Sequence, residues 1–138
     1  MIVVWSEWRE KNENYYSKGL SSTCRVKEKL KVRTFKVNEK LRLEEGIILD
    51  YQEKNITVGE KEYSRTQPHL IGYHYISLIN DEGEDVFWLQ GNVNKGRKYA
   101  VFNKGQPVVY WTSKEKAFKE FKKFLEENYG LKLTEGIS

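Results

Sequence analysis

Cysteine occurs once, at Cys24, so the chain cannot staple its own fold with a disulfide. A lone cysteine of this kind reads as a small half-buried residue rather than a catalytic thiol. The lack of cysteine pairs points to a reducing compartment. Histidine is nearly as scarce. His69 and His74 lie five apart across Gly72, far from Cys24, which offers no metal-ligand spacing. Only two prolines occur and there is no Ser/Gly-rich run, which argues against a disordered tail or a linker. No apolar run approaches a membrane span, and "MIVVW" is too short for a signal-peptide core and has no basic residues before it. These absences describe a soluble, cytoplasmic protein with no membrane partner and no cofactor.

What is present is aromatic mass and charge. Nine tyrosines, six phenylalanines and four tryptophans make aromatic packing the main source of core volume in 138 residues, a length that suits one ordinary domain. The net charge of +4 is modest but unevenly spread. Residues 25 to 42 hold eight Lys/Arg against Glu28 and Glu39, and residues 91 to 123 hold nine against Glu115 and Glu120. Residues 43 to 62 carry six acids against Lys54 and Lys61, and "NDEGED" adds four. Such blocks imply a molecule with oriented polar faces.

Periodicity places the elements. "VKEKLKVRTFKV" alternates with period two, setting Val26, Leu30 and Val32 on one face and Lys27, Lys29, Lys31 and Arg33 on the other. Phe35 and Val37 break the phase, as a bulge or a bend near Thr34 would. The four cations, roughly 7 Å apart along the strand, form a candidate phosphate track, although edge strands also use lysine to block pairing. "LEEGIILDYQEKNITVGEKEY" reads as short strands around 47–51, 56–58 and 62–64, with Gly46 entering the first. Pro68 and Gly72 mark a junction. "YHYISLI", "VFWLQ", "KYAVF" and "VVYW" then read as a four-stranded antiparallel meander.

The clearest helix is "TSKEKAFKEFKKFLEENYG". Thr112 with Glu115 forms a capping box and Gly130 sits at the C-terminal cap. Ala117, Phe118, Phe121, Phe124, Leu125 and Tyr129 follow helical spacing and make one apolar stripe. Residues 1 to 24 are less regular: "IVVW" suggests a strand, and "SEWREKNENYYSKGL" reads as a short helix or a loop. The expected fold is α+β, with a strand-rich part over 1–68, as a small barrel or meander. Residues 69–138 then form a twisted antiparallel sheet with one amphipathic helix across it.

Tests for chemistry mostly fail. No GxSxG occurs, and no local motif assembles a Ser–His–Asp or Cys–His set. His74 alternates in phase with Ile76 and Leu78, as a structural histidine does. In "QGNVNKGRKYAVF", Gly91 and Gly96 have P-loop spacing, but Arg97 and Lys98 stand where lysine and a hydroxyl belong, and a strand follows instead of a helix. "KGRKYAVF" half-matches the RNP1 pattern through Lys95, Gly96, Tyr99 and Phe102, but lacks the aromatic at Arg97 and the two helices of that fold.

The order of elements from Tyr73 to Leu133 resembles a WGR domain, the small module of poly(ADP-ribose) polymerases and various bacterial proteins. The resemblance is carried by "YHYISLI", an acidic turn, a Trp-bearing strand, a Gly/Lys-rich loop, a strand pair, and a helix with Ser113, Ala117, Phe121 and Gly130 in register. It implies a twisted antiparallel sheet with one helix laid across it. The name-giving Trp-Gly-Arg aligns with Gln90, Gly91 and Asn92, so the glycine is kept. The two residues that in the family help contact nucleic-acid ends are replaced.

The functional expectation is therefore non-enzymatic, largely sequence-independent nucleic-acid binding. Lys27, Lys29, Lys31 and Arg33 would meet phosphates with Lys95, Arg97 and Lys98 on a hairpin, and Trp88 or Tyr99 would stack on a base if exposed. The alternative is a protein-binding module, such as a small inhibitor or adaptor of the kind phages and mobile elements encode. A third reading is an enzyme whose acids the fold brings together.

Overall fold

A computed structural model describes residues 1–18, 23–56, 63–66, 71–92 and 96–134. Among the described residues eight strands form a single antiparallel sheet: β1 (Arg9–Lys18), β2 (Thr23–Lys36), β3 (Leu41–Ile56), β4 (Tyr63–Thr66), β5 (His74–Asn80), β6 (Asp85–Asn92), β7 (Lys98–Asn103) and β8 (Gln106–Thr112). One helix, α1 (Lys114–Tyr129), follows them. The sheet runs β1-β2-β3-β5-β6-β7-β8, with β4 paired to the far end of β3. The architecture is α+β, and one continuous sheet joins the strand-rich first half to the meander.

β3 is the strand that makes this possible. Its first residues, Leu41–Ile47, pair with β5, while Gln52–Asn55 pair with β4, and β2 runs along the whole of its other edge. From β5 to β8 each strand pairs with the next in sequence, as alternation and the turn residues foretell.

The sheet buries apolar side chains on both faces. On the helix side, Leu43, Ile76, Leu78, Phe87, Leu89 and Val101 pack under Ala117, Phe121 and Leu125 of α1. Phe87 lies near parallel to Phe121 and Phe124, with ring centroids 4.9 and 4.6 Å away. On the opposite face Val26, Leu30, Val32, Ile48 and Tyr51 form a second, smaller core, against which Tyr73 and Tyr75 pack. Central strand β5 is buried on both sides.

Several expectations are corrected. Residues 9–18 form edge strand β1, neither helix nor loop, paired along its length with β2. Of "IVVW", Ile2 makes only an isolated parallel bridge to Lys132. The strand expected around 47–51 is the middle of a longer strand that runs from Leu41 to Ile56, with Gly46 inside it; of the strand expected over 56–58 only Ile56 is described, and residues 57–62 lie outside the described residues. The irregularity in β2 falls between Lys29 and Leu30, not near Thr34. Phe35 keeps phase with Arg33. What changes is the buried face: Val26, Leu30 and Val32 serve the second core, while Phe35 and Val37 reach the first. The helix cap is Ser113, whose side chain accepts from the Lys116 amide, because Thr112 still belongs to β8. Gly130 does close the helix, at φ 65°.

Candidate functional site

The expected phosphate track divides. Lys27 and Lys29 are exposed, with Lys29 3.6 Å from Glu10 on β1. Lys31 lies 4.8 Å from the centroid of the Trp8 ring. Arg33 is enclosed, its guanidinium 4.8 Å from the centroids of both Trp5 and Trp8. The N-terminal segment is held there by Ser6, whose amide donates to the Thr34 carbonyl and whose hydroxyl accepts from the Thr34 amide. On the hairpin, Arg97 and Lys98 are exposed, Arg97 with φ 60°, while Lys95 lies outside the described residues. By register, Lys31, Ile47, His74, Gly91 and Tyr99 form one row across the sheet, so the two basic groups share an end of it. From β2 to β7 are four strand spacings, about 19 Å.

Tyr99 does not offer a stacking surface. It is buried on the helix side, where it ends a polar chain through the core. Arg33 Nε donates to Glu45 Oε1 at 2.6 Å, Glu45 Oε2 meets His74 Nε2 at 2.7 Å, and His74 Nδ1 meets the Tyr99 hydroxyl at 2.8 Å. Nε2 donates to the carboxylate, which can only accept, and Nδ1 shares a hydrogen bond with the tyrosine hydroxyl. Glu45 is fully buried. Burial pushes its pKa up, but the hydrogen bond and charge of His74, then those of Arg33, hold it below its ordinary value. Burial, then the Glu45 charge, raises that of Tyr99. Every group in this chain satisfies another, which is what a buried polar network needs to be tolerated.

Trp88 points the other way. On the face that α1 leaves open, the strands frame a groove of about 420 Å3 lined by residues of β1, β3, β5 and β6 and by Tyr73. Its aromatic wall is Tyr73, Tyr75 and Trp88; its acids are Glu13, Glu44 and Asp85; its cations are Lys11 and Arg42. Lys11 is held by Glu13 at 2.7 Å. Glu44, only 6% exposed, accepts from the Tyr75 hydroxyl at 2.7 Å, and Asp85 accepts from Ser77 at 2.7 Å. Burial first, then Glu44, Glu13 and Asp85, raise the Tyr75 pKa, so its hydroxyl remains a donor. Burial and the Asp85 charge push Tyr73 up to about 12. A neutral partner thus orients each of Glu44 and Asp85 without consuming its charge. Among the described residues neither carboxylate stands in an ion pair.

The aromatic wall continues outward. Trp88 stacks on Phe102 at 5.3 Å, Phe102 meets Trp111 edge-on at 6.5 Å, and neighbouring Val108 and Tyr110 on edge strand β8 are exposed. The Trp88 indole is fixed by a 2.9 Å hydrogen bond to Gln90.

Sequence reasoning named Trp88 but missed Glu44, Asp85, Tyr73 and Tyr75 as its neighbours. Their only signal is parity along strands whose pairing was not yet known. Among the described residues, no group of three or more His, Cys, Asp or Glu is placed to hold a metal ion, and no helix is long and apolar enough to cross a membrane. Compared with known proteins, the chain matches no family model, no curated protein and no solved structure.

Proposed function

We propose that this chain is a non-enzymatic binding module that engages a protein partner through the open face of its sheet. The observation that supports it is the contiguous row Trp88, Phe102 and Trp111, which runs from the groove to an edge strand with Val108 and Tyr110 exposed. Tryptophan and tyrosine concentrate binding energy at protein interfaces, and exposed apolar patches mark them. The groove's acids disfavour a polyanion on this face, and Arg33 is already engaged by Glu45.

Nucleic-acid binding is the second reading, favoured by one observation: Lys27, Lys29, Arg97 and Lys98 are exposed at a common end of the sheet. The test selects peptides from a displayed random library against the full chain, then measures their affinity for Trp111→Ala and Phe102→Ala. The protein-binding reading expects both variants to melt as the parent does and to lose about tenfold or more in affinity, or about 1.4 kcal/mol. Selected peptides indifferent to both changes would defeat it. Oligonucleotide binding whose log K falls linearly with log salt would promote the second reading.

A further inference from the structure

We propose that the open-face groove receives one cationic group, the ammonium or guanidinium of a lysine or arginine side chain on the protein partner. This rests on the reading of the open face as a docking surface and adds the chemistry of what enters it. The volume of about 420 Å3 falls within the range of ligand pockets and accommodates one long side chain.

The lining selects the charge. Lys11 and Glu13 neutralise each other, which leaves Glu44 and Asp85 against Arg42 at the exposed rim. Glu44 is the deciding residue. Its carboxylate is almost wholly withdrawn from water, and its neighbour Tyr75 supplies a hydrogen bond but no positive charge. An apolar side chain entering the groove would strip water from Asp85 and leave Glu44 without a counter-charge. A phosphate or carboxylate would meet like charge. A cation supplies the missing counter-charge and forms charge-assisted hydrogen bonds. Tyr73, Tyr75 and Trp88 add ring surfaces that attract a cation within about 6 Å of their centroids. The aromatic row then carries the groove outward, so the flanking residues of the same partner segment have Phe102 and Trp111 to rest on.

The test titrates the 15N-labelled full chain with n-butylammonium, methylguanidinium and a short lysine peptide, with acetyl-lysine and citrulline peptides as uncharged counterparts. The expected result is saturable shifts at the Trp88 indole N–H and the Tyr75 and Ser77 amides for the cations alone. Asp85→Asn, at an exposed position whose amide oxygen can still accept from Ser77, should melt as the parent does and weaken this about tenfold, as expected for one lost charge-assisted contact. Glu44→Gln should weaken it further. Absence of saturable shifts at these sites, equal response to citrulline, or indifference to Asp85→Asn would overturn the proposal. Its failure is separable from that of the docking reading. If selected peptides depend on Trp111 but not on any lysine or arginine, the groove assignment falls and docking stands. If the cations saturate the groove but no peptide depends on Phe102 or Trp111, docking falls and the cation site stands.

Discussion

The ring of Tyr99 lies over Gly91, its partner across β6 and β7, so closely that a β-carbon on the glycine would sit 2.3 Å from Cζ. On the opposite face the same device recurs, with Tyr75 over its own cross-strand partner Gly46 at 2.5 Å. Each glycine makes room for a ring, and each ring delivers its hydroxyl to a buried polar partner, His74 or Glu44. Gly91→Ala should therefore cost about 1–3 kcal/mol, the usual range for overpacking. Urea denaturation of Gly91→Ala, Tyr99→Leu and the double variant would check this. The double should be more stable than the sum of the singles implies.

Glu45 is the hub of the buried chain, and its charge is the one that Arg33 and His74 share. Glu45→Gln should destabilise by about 3–5 kcal/mol, as breaking a buried pair does. The pH dependence has a defined sign. Because the folded-state pKa is depressed, the stabilisation is present above the ordinary value of 4.5 and is lost as pH falls through the folded value. The difference in urea midpoint between parent and Glu45→Gln should therefore be large at pH 7 and shrink below pH 4.5.

Trp8 covers both Lys31 and Arg33. Trp8→Leu keeps apolar bulk but removes the ring quadrupole, and should cost about 0.5–2 kcal/mol, with Trp8→Phe intermediate. Equal stability of all three proteins by thermal melting would show that the contact contributes nothing.

Ser113 caps α1 through the Lys116 amide. Ser113→Ala should lower stability by about 1 kcal/mol, while Thr112→Ala should leave the cap intact. Chemical denaturation of the two variants separates the capping assignments.

The four exposed cations make a prediction independent of the groove. If oligonucleotides bind, Lys27→Ala, Lys29→Ala, Arg97→Ala and Lys98→Ala should each reduce the salt slope by about one. Lys31→Ala, beneath Trp8, should change it less. Slopes measured by fluorescence anisotropy across a salt series decide this.

The helix and the four-stranded meander were legible because each has one strong apolar period and turn residues at its ends. β1 was not. "REKNENYYSK" is an edge strand, so its alternation lacks the apolar residues that a buried face demands. The full length of β3 is hidden because Gly46 and the pair Glu44 and Glu45 look like loop residues. They sit inside a strand because Tyr75 fills the glycine's space, and because successive side chains point to opposite faces, where separate partners satisfy each acid. For the site, Trp88 was visible as an aromatic on a strand, whereas the direction of Tyr99 required knowing that Gly91 stands opposite. The groove could not be read from any local motif, since its lining comes from elements far apart in the chain that only sheet pairing brings together.

Because β5 is packed on both of its faces and hydrogen-bonded on both of its edges, it ties the two cores together, giving Ile76 and Leu78 to the first and resting Tyr75 against the second. Neither core can melt while the other keeps that strand intact. Amide exchange along 76–78 should thus proceed only through opening of the entire molecule, with one common free energy of opening. Cutting the chain before β5 would not release a self-sufficient half. It would instead bare the edge of its most apolar strand, and the fragment's first reaction would be with another copy of itself.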